Sequence, residues 1–70
     1  MEVLVFSTSV QSDDQVKLLA PKINSLAGRG QWNFALDDRD RILRIASDRV
    51  KAIDAIHLLK KYGFDCRALD

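Results

Sequence analysis

Trp32-Asn33-Phe34-Ala35-Leu36-Asp37-Asp38-Arg39-Asp40-Arg41-Ile42-Leu43-Arg44-Ile45-Ala46 is the stretch whose reading decides the fold. Trp32, Phe34 and Leu36 alternate with Asn33, Ala35 and Asp37, the period of a strand with one face buried. Leu43 and Ile45 alternate in the same way with Ile42, Arg44 and Ala46. Asp37-Asp38-Arg39-Asp40 between them supplies turn residues, so the two runs form a hairpin.

Working outward, each side of the hairpin carries a helix. Upstream, Ser12-Asp13-Asp14-Gln15 reads as a capping box: Ser12 accepts from the Gln15 amide while the Gln15 side chain reaches back. Asp13 and Asp14 suit the positive end of the helix dipole. Val16, Leu19, Ile23 and Leu26 then share one helical face, and Gly28 stops the helix. Pro21 is discordant, since an interior proline costs ~3 kcal/mol; the apolar face continues through it, which predicts a kinked helix. Downstream, Ser47 or Asp48 is expected to cap a second helix with Ala52, Ile53, Ile56 and Leu59 on its buried face. Lys60-Lys61 suits its last turn, and Gly63 ends it. The outermost segments, about Glu2 to Thr8 and Phe64 to Leu69, read as strands.

The order is strand, helix, strand, strand, helix, strand. With right-handed crossovers this predicts an α+β, ferredoxin-like βαββαβ fold: a four-stranded antiparallel sheet with two helices on one face. The other sheet face is expected to be largely exposed. Seventy residues make one such domain, spanning 1–70. A chain of this size buries only ~60% of its unfolded surface, so its core must be used economically.

Composition removes several functions. Eleven basic side chains against ten acidic leave a net charge of +1, which gives no general drive toward nucleic acid or membrane. Cys66 is the single cysteine, so no internal disulfide forms; this fits a reducing compartment, and cytoplasmic is the expectation. Met1 to Phe6 lacks a basic leader region and reads as a strand, and no window is apolar enough to span a bilayer.

Two patterns, Val16-x-x-Leu19-x-x-x-Ile23-x-x-Leu26-x-Gly28 and Ile53-x-x-Ile56-x-x-Leu59-x-x-x-Gly63-Phe64, resemble the helices of the heavy-metal-associated domain of copper chaperones and metal-pumping ATPases. The resemblance covers roughly Val3 to Leu69 and implies the same fold. That family carries a Met-x-Cys-x-x-Cys metal loop before its first helix. Aligned on Leu26 and Gly28, the resemblance places Val10 at the methionine, Ser12 at the first cysteine and Gln15 at the second. Cu(I) prefers thiolates, and a hydroxyl with an amide is a poor substitute. The loop therefore reads as a metal-site scaffold without its metal chemistry, and no cofactor is expected.

Other chemistry-bearing residues have structural readings. Cys66 on a strand reads as a small buried hydrophobe. His57 has no second histidine or cysteine at ligand spacing. Asp37, Asp38 and Asp40 lack the glycine and final glutamate of a calcium loop. Ser7, Ser9 and Ser12 have no paired base nearby in sequence, so turn and cap roles are expected and catalysis is not.

The expected function is thus a non-catalytic protein-interaction or regulatory module. Its contact surface would be the exposed sheet face, Val3, Val5, Ile42 and Arg44, or a free strand edge paired with a partner or with a second copy. The alternative is a residual copper carrier in which Cys66, from one chain or two, supplies the ligand; the fourth strand, however, is expected to lie away from the metal-loop positions except at its start. RNA-recognition modules share the topology but stack bases on central-strand aromatics; Val3, Val5, Ile42 and Arg44 offer none, so no nucleic-acid partner is expected. A ligand-binding regulatory domain of the ACT type would need a glycine-rich first turn. An acylphosphatase-type enzyme would need an anion-binding arginine where Ser12, Asp13 and Asp14 stand.

Overall fold

The alternating runs pair as their period requires. In the computed structural model, which describes residues 3–69, the elements are β1 (Leu4–Thr8), α1 (Asp13–Ala27), β2 (Trp32–Ala35), β3 (Ile42–Ile45), α2 (Ala52–Lys61) and β4 (Cys66–Leu69). All neighbouring strands are antiparallel, in the order β2-β3-β1-β4. This is the ferredoxin-like arrangement, with β1 and β3 central and β2 and β4 at the edges. Glu2 lies outside the described residues, and the first strand is described from Leu4.

Register sorts the side chains into two faces. Phe34, Leu43, Phe6 and Ala68 lie side by side across the sheet, as do Trp32, Ile45 and Leu4. Phe6, Leu43 and Ile45 are fully buried and join Leu19, Ile23 and Ala27 of α1 and Ala55 and Leu59 of α2 in one core. Trp32 and Phe34 pack against that core edge-to-face, with ring centroids 5.9 Å apart. The Trp32 indole donates to Asn24 Oδ1 at 2.7 Å, tying β2 to α1.

Helix α1 starts at its expected cap. Ser12 Oγ accepts from the Gln15 amide at 3.3 Å. The reciprocal bond differs from the expectation: Gln15 Oε1 accepts from the amide of Gln11 at 2.6 Å, one residue before the cap. The helix runs unbroken through Pro21; Lys17, whose carbonyl loses its amide donor, and Pro21 are both exposed, so water reaches the gap. Gly28 closes the helix at φ 99° and ψ 149°, a region that a side chain disfavours, while its amide bonds Asn24 O.

The second helix departs from expectation at its start. Ser47 Oγ accepts from the Arg49 amide in a turn, and Val50 is delivered into the core before α2 begins at Ala52. Asp54 then caps the Lys51 amide from within the first turn. Ala55 faces the core beside Leu59 and Ile53 is 51% exposed, so Ile53 is not on the buried face. Gly63, at φ 89°, turns the chain so that the Phe64 amide bonds Leu59 O and Phe64 packs on the core. Phe64 itself precedes β4, which begins at Cys66.

Candidate functional site

The three acids of the β2–β3 loop serve the turn. Asp38 Oδ1 accepts from the Asp40 amide at 2.9 Å, and Arg41 Nη1 donates to Leu36 O at 2.7 Å. Arg41 takes a positive φ of 51°. Here the β1–β3 ladder steps by one residue: Thr8 N donates to Asp40 O at 3.0 Å, and Thr8 Oγ1 donates to Arg41 O at 2.6 Å. One residue of β1 thus faces two of the neighbouring chain, the signature of a bulge.

The loop from Val10 to Gln15 is occupied by its own backbone bonds. Val10 is a fully buried core residue, and its amide donates to Thr8 Oγ1. The side-chain oxygens of Ser12 and Gln15 each accept a backbone amide. The donors at these positions are hard, neutral and already engaged, a set that does not fit a soft ion. Among the described residues no group of three or more His, Cys, Asp or Glu side chains gathers at one point.

Cys66 opens β4, at the end of the sheet from which this loop leaves β1. It pairs across the sheet with Thr8, and the next pair out, Ser9 and Asp65, is doubly bonded: Ser9 N to Asp65 O at 3.1 Å and Asp65 N to Ser9 Oγ at 2.8 Å. The thiol is 3% exposed. Burial pushes its pKa up to about 11, partly offset by the Lys60 ammonium. Since the thiolate is the nucleophile and the ligand, Cys66 is expected to resist alkylation. Iodoacetamide at pH 8 should modify it at least ~100-fold more slowly than an unstructured cysteine peptide, and mass spectrometry of timed quenches measures this. Equal rates would show an accessible, ionisable thiol. The folded pKa lies above the unfolded one, so the protonated thiol favours the folded state; that contribution is complete below pH ~9 and declines as pH rises toward 11.

The opposite sheet face is built by the other half of the alternation. Leu69, Val5, Arg44 and Asn33 form one cross-strand row, and Arg67, Ser7, Ile42 and Ala35 form the next. Val3 and Leu69 are 53% and 40% exposed, Val5 is half-buried, and Arg44 and Arg67 are exposed. Ile42 is corrected from the expected surface: it is only 6% exposed. It lies on a central strand between Ser7 and Ala35 and next to the Arg41 step, so cross-strand neighbours and the pinned turn leave it little surface. Leu69 and Arg67 belong to this face but were missed; the alternation of β4 was their signal. None of the outward strand positions carries a carboxylate.

The architecture and this surface define a small ferredoxin-like domain whose open sheet face is apolar at one edge and flanked by arginines. No known protein-family model, curated protein or solved structure matches the chain. No described helix is long and apolar enough to cross a membrane.

Proposed function

We propose that this domain is a non-catalytic interaction module, related in plan to the heavy-metal-associated domain but without its soft-metal site, which docks another protein through the outer sheet face. The observation that carries this reading is the paired Val5 and Leu69 beside Arg44 and Arg67, with the exposed Val3 lining the surface next to Arg44. An apolar surface rimmed by arginines is the composition of a contact surface, arginine being enriched at interfaces. The aromatic side chains of β2 turn toward the helices, which supports a protein over a nucleic-acid partner. The buried, poorly ionised Cys66 weighs against a copper carrier.

Two arms test this. Reduced protein titrated with Cu(I) or Ag(I), followed by backbone amide shifts, is expected to give no saturable change over Val10 to Gln15. Sub-micromolar one-to-one binding there would overturn the loss of metal function. In capture from extracts of the native cell, Val5→Asp is expected to lose partners that the helix-face variant Leu18→Asp retains. The reverse pattern would place the interface elsewhere.

A further inference from the structure

The bond from Ala46 N to Gln31 O, 2.6 Å long, fixes which backbone groups of β2 face β3. Bonded residues alternate along an antiparallel ladder, so Asn33 and Ala35, in step with Gln31, turn their N–H and C=O groups inward to Arg44 and Ile42. Trp32 and Phe34 turn theirs outward, to the open edge of the sheet. Natural edge strands are shielded by charged side chains, proline or a bulge. Trp32-Asn33-Phe34-Ala35 has none of these, whereas the other edge strand carries Arg67 within it. Trp32 and Phe34 are only half-buried, so part of each ring stays open beside this edge.

The two ends of β2 carry opposite charge. At its start Arg29 and Arg49 line one cleft with Gln31, and Asp48 is the single acid there. Past its end Asp37, Asp38 and Asp40 outnumber Arg39 and Arg41, and the Arg41 guanidinium is already bonded to Leu36 O. A strand that is positive at one end and negative at the other is complementary to its own reversed copy, and antiparallel pairing supplies that reversal. A two-fold axis through Asn33 sets Trp32 of each copy opposite Phe34 of the other, and Asn33 opposite Asn33. Aromatic pairs directly opposite stabilise a sheet, and two facing carboxamides can each donate and accept. The same register carries Arg29 alongside Asp37 of the second copy. Neighbouring registers lose these matches: an axis at Trp32 leaves Phe34 opposite Gly30, and an axis at Phe34 slides Arg29 toward Arg39.

We infer that the domain forms a weak two-fold dimer through β2, on an axis at Asn33, joining two four-stranded sheets edge to edge. Trp32 and Phe34 of the two copies exchange the outward backbone bonds, and the charged turns at each end of the strand fix the register. One short strand from each copy makes a small interface, so the dimer exchanges with monomer at low concentration. The helix layers of the two copies lie on the same side of the joined sheet, and both outer faces stay open. The inference therefore stands apart from the face-docking reading and does not depend on it.

The test follows the reduced chain by sedimentation equilibrium from ~10 μM to ~1 mM, with amide exchange measured at both limits. The mass is expected to rise toward that of two chains. Exchange at Trp32 and Phe34 should slow at least ~5-fold at the high concentration, while Cys66 and Ala68 stay unchanged. Arg29→Asp and Asp37→Arg should each weaken association ~5-fold, and the double variant, with the charges exchanged, should recover it. Asn33→Cys stands opposite itself and should form a disulfide-linked dimer on mild oxidation at least ~10-fold faster than Ala35→Cys, whose two copies this register holds too far apart to bridge. A chain that stays monomeric at ~1 mM overturns the inference, as does a dimer that protects Cys66 and Ala68, or the face of Val5 and Leu69, in place of Trp32 and Phe34. Equal cross-linking of the two cysteine variants, or no recovery in the double variant, overturns the axis at Asn33 and with it the proposed pairing.

Discussion

Phe6→Ala is expected to leave the domain largely unfolded at room temperature. Phe6 is fully buried in the middle of central strand β1, paired with Leu43 on one side and Ala68 on the other. It belongs to the same cluster as Leu19, Ile23 and Leu59, so the truncated ring leaves a cavity between the sheet and both helices. Such a truncation costs ~3–5 kcal/mol. A core this small rarely supplies more than ~3–5 kcal/mol of net stability, and the chain has no disulfide to compensate. Urea denaturation followed by far-ultraviolet circular dichroism checks it. A cooperative transition within ~1 kcal/mol of the parent would refute the central role given to Phe6.

Thr8→Val is the second large effect, and it isolates hydrogen bonding from packing. The two side chains have nearly the same shape, and valine is an excellent strand former, so neither volume nor propensity predicts a loss. The Thr8 hydroxyl, however, donates to Arg41 O at 2.6 Å and accepts from Val10 N at 3.3 Å. Thr8 is buried, so valine would strand a carbonyl and an amide with no replacement. Each such orphan costs ~1–3 kcal/mol, so the two together predict a loss of ~2–6 kcal/mol. Thr8→Ser keeps the hydroxyl and should recover most of the difference. If Thr8→Val melts at the parental temperature, the one-residue step at Arg41 does not depend on this side chain.

Much of the fold was legible because its signals are local. The alternation of Trp32, Phe34, Leu43 and Ile45 defined the hairpin and its buried side, and Ser12 and Gly28 marked the limits of α1. The misreadings came where several local signals competed or where the deciding contact was distant. Ser47-Asp48 has the composition of a cap, yet Val50 needed a place in the core, and the chain delays α2 until Ala52. Period two assigns a side to Ile42 but not an exposure; on a central strand an outward residue is covered by neighbours that one strand's sequence does not name.

The candidate surface was half legible for the same reason. Val3, Val5 and Arg44 followed from the parity of β1 and β3. Arg67 and Leu69 required the further step that β4 lies beside β1, which the predicted topology already implied. That step also brings Cys66 against Thr8, a contact that spacing along the chain conceals. The bulge at Arg41, which sets the turn over this end of the sheet, has no glycine to announce it.

The central place of β1 has a consequence for how the domain comes into being. Its partners are β3 and β4, and the Ser9–Asp65 link joins residues 56 positions apart. A chain leaving the ribosome N-terminus first therefore presents β1 and the hairpin before β4 is free to pair with them. Folding dominated by such distant pairings is slow, and exposed strand edges invite aggregation. The nascent chain is most vulnerable in the interval between release of Ile45 and release of Leu69, and chaperone contact with this domain should be concentrated there.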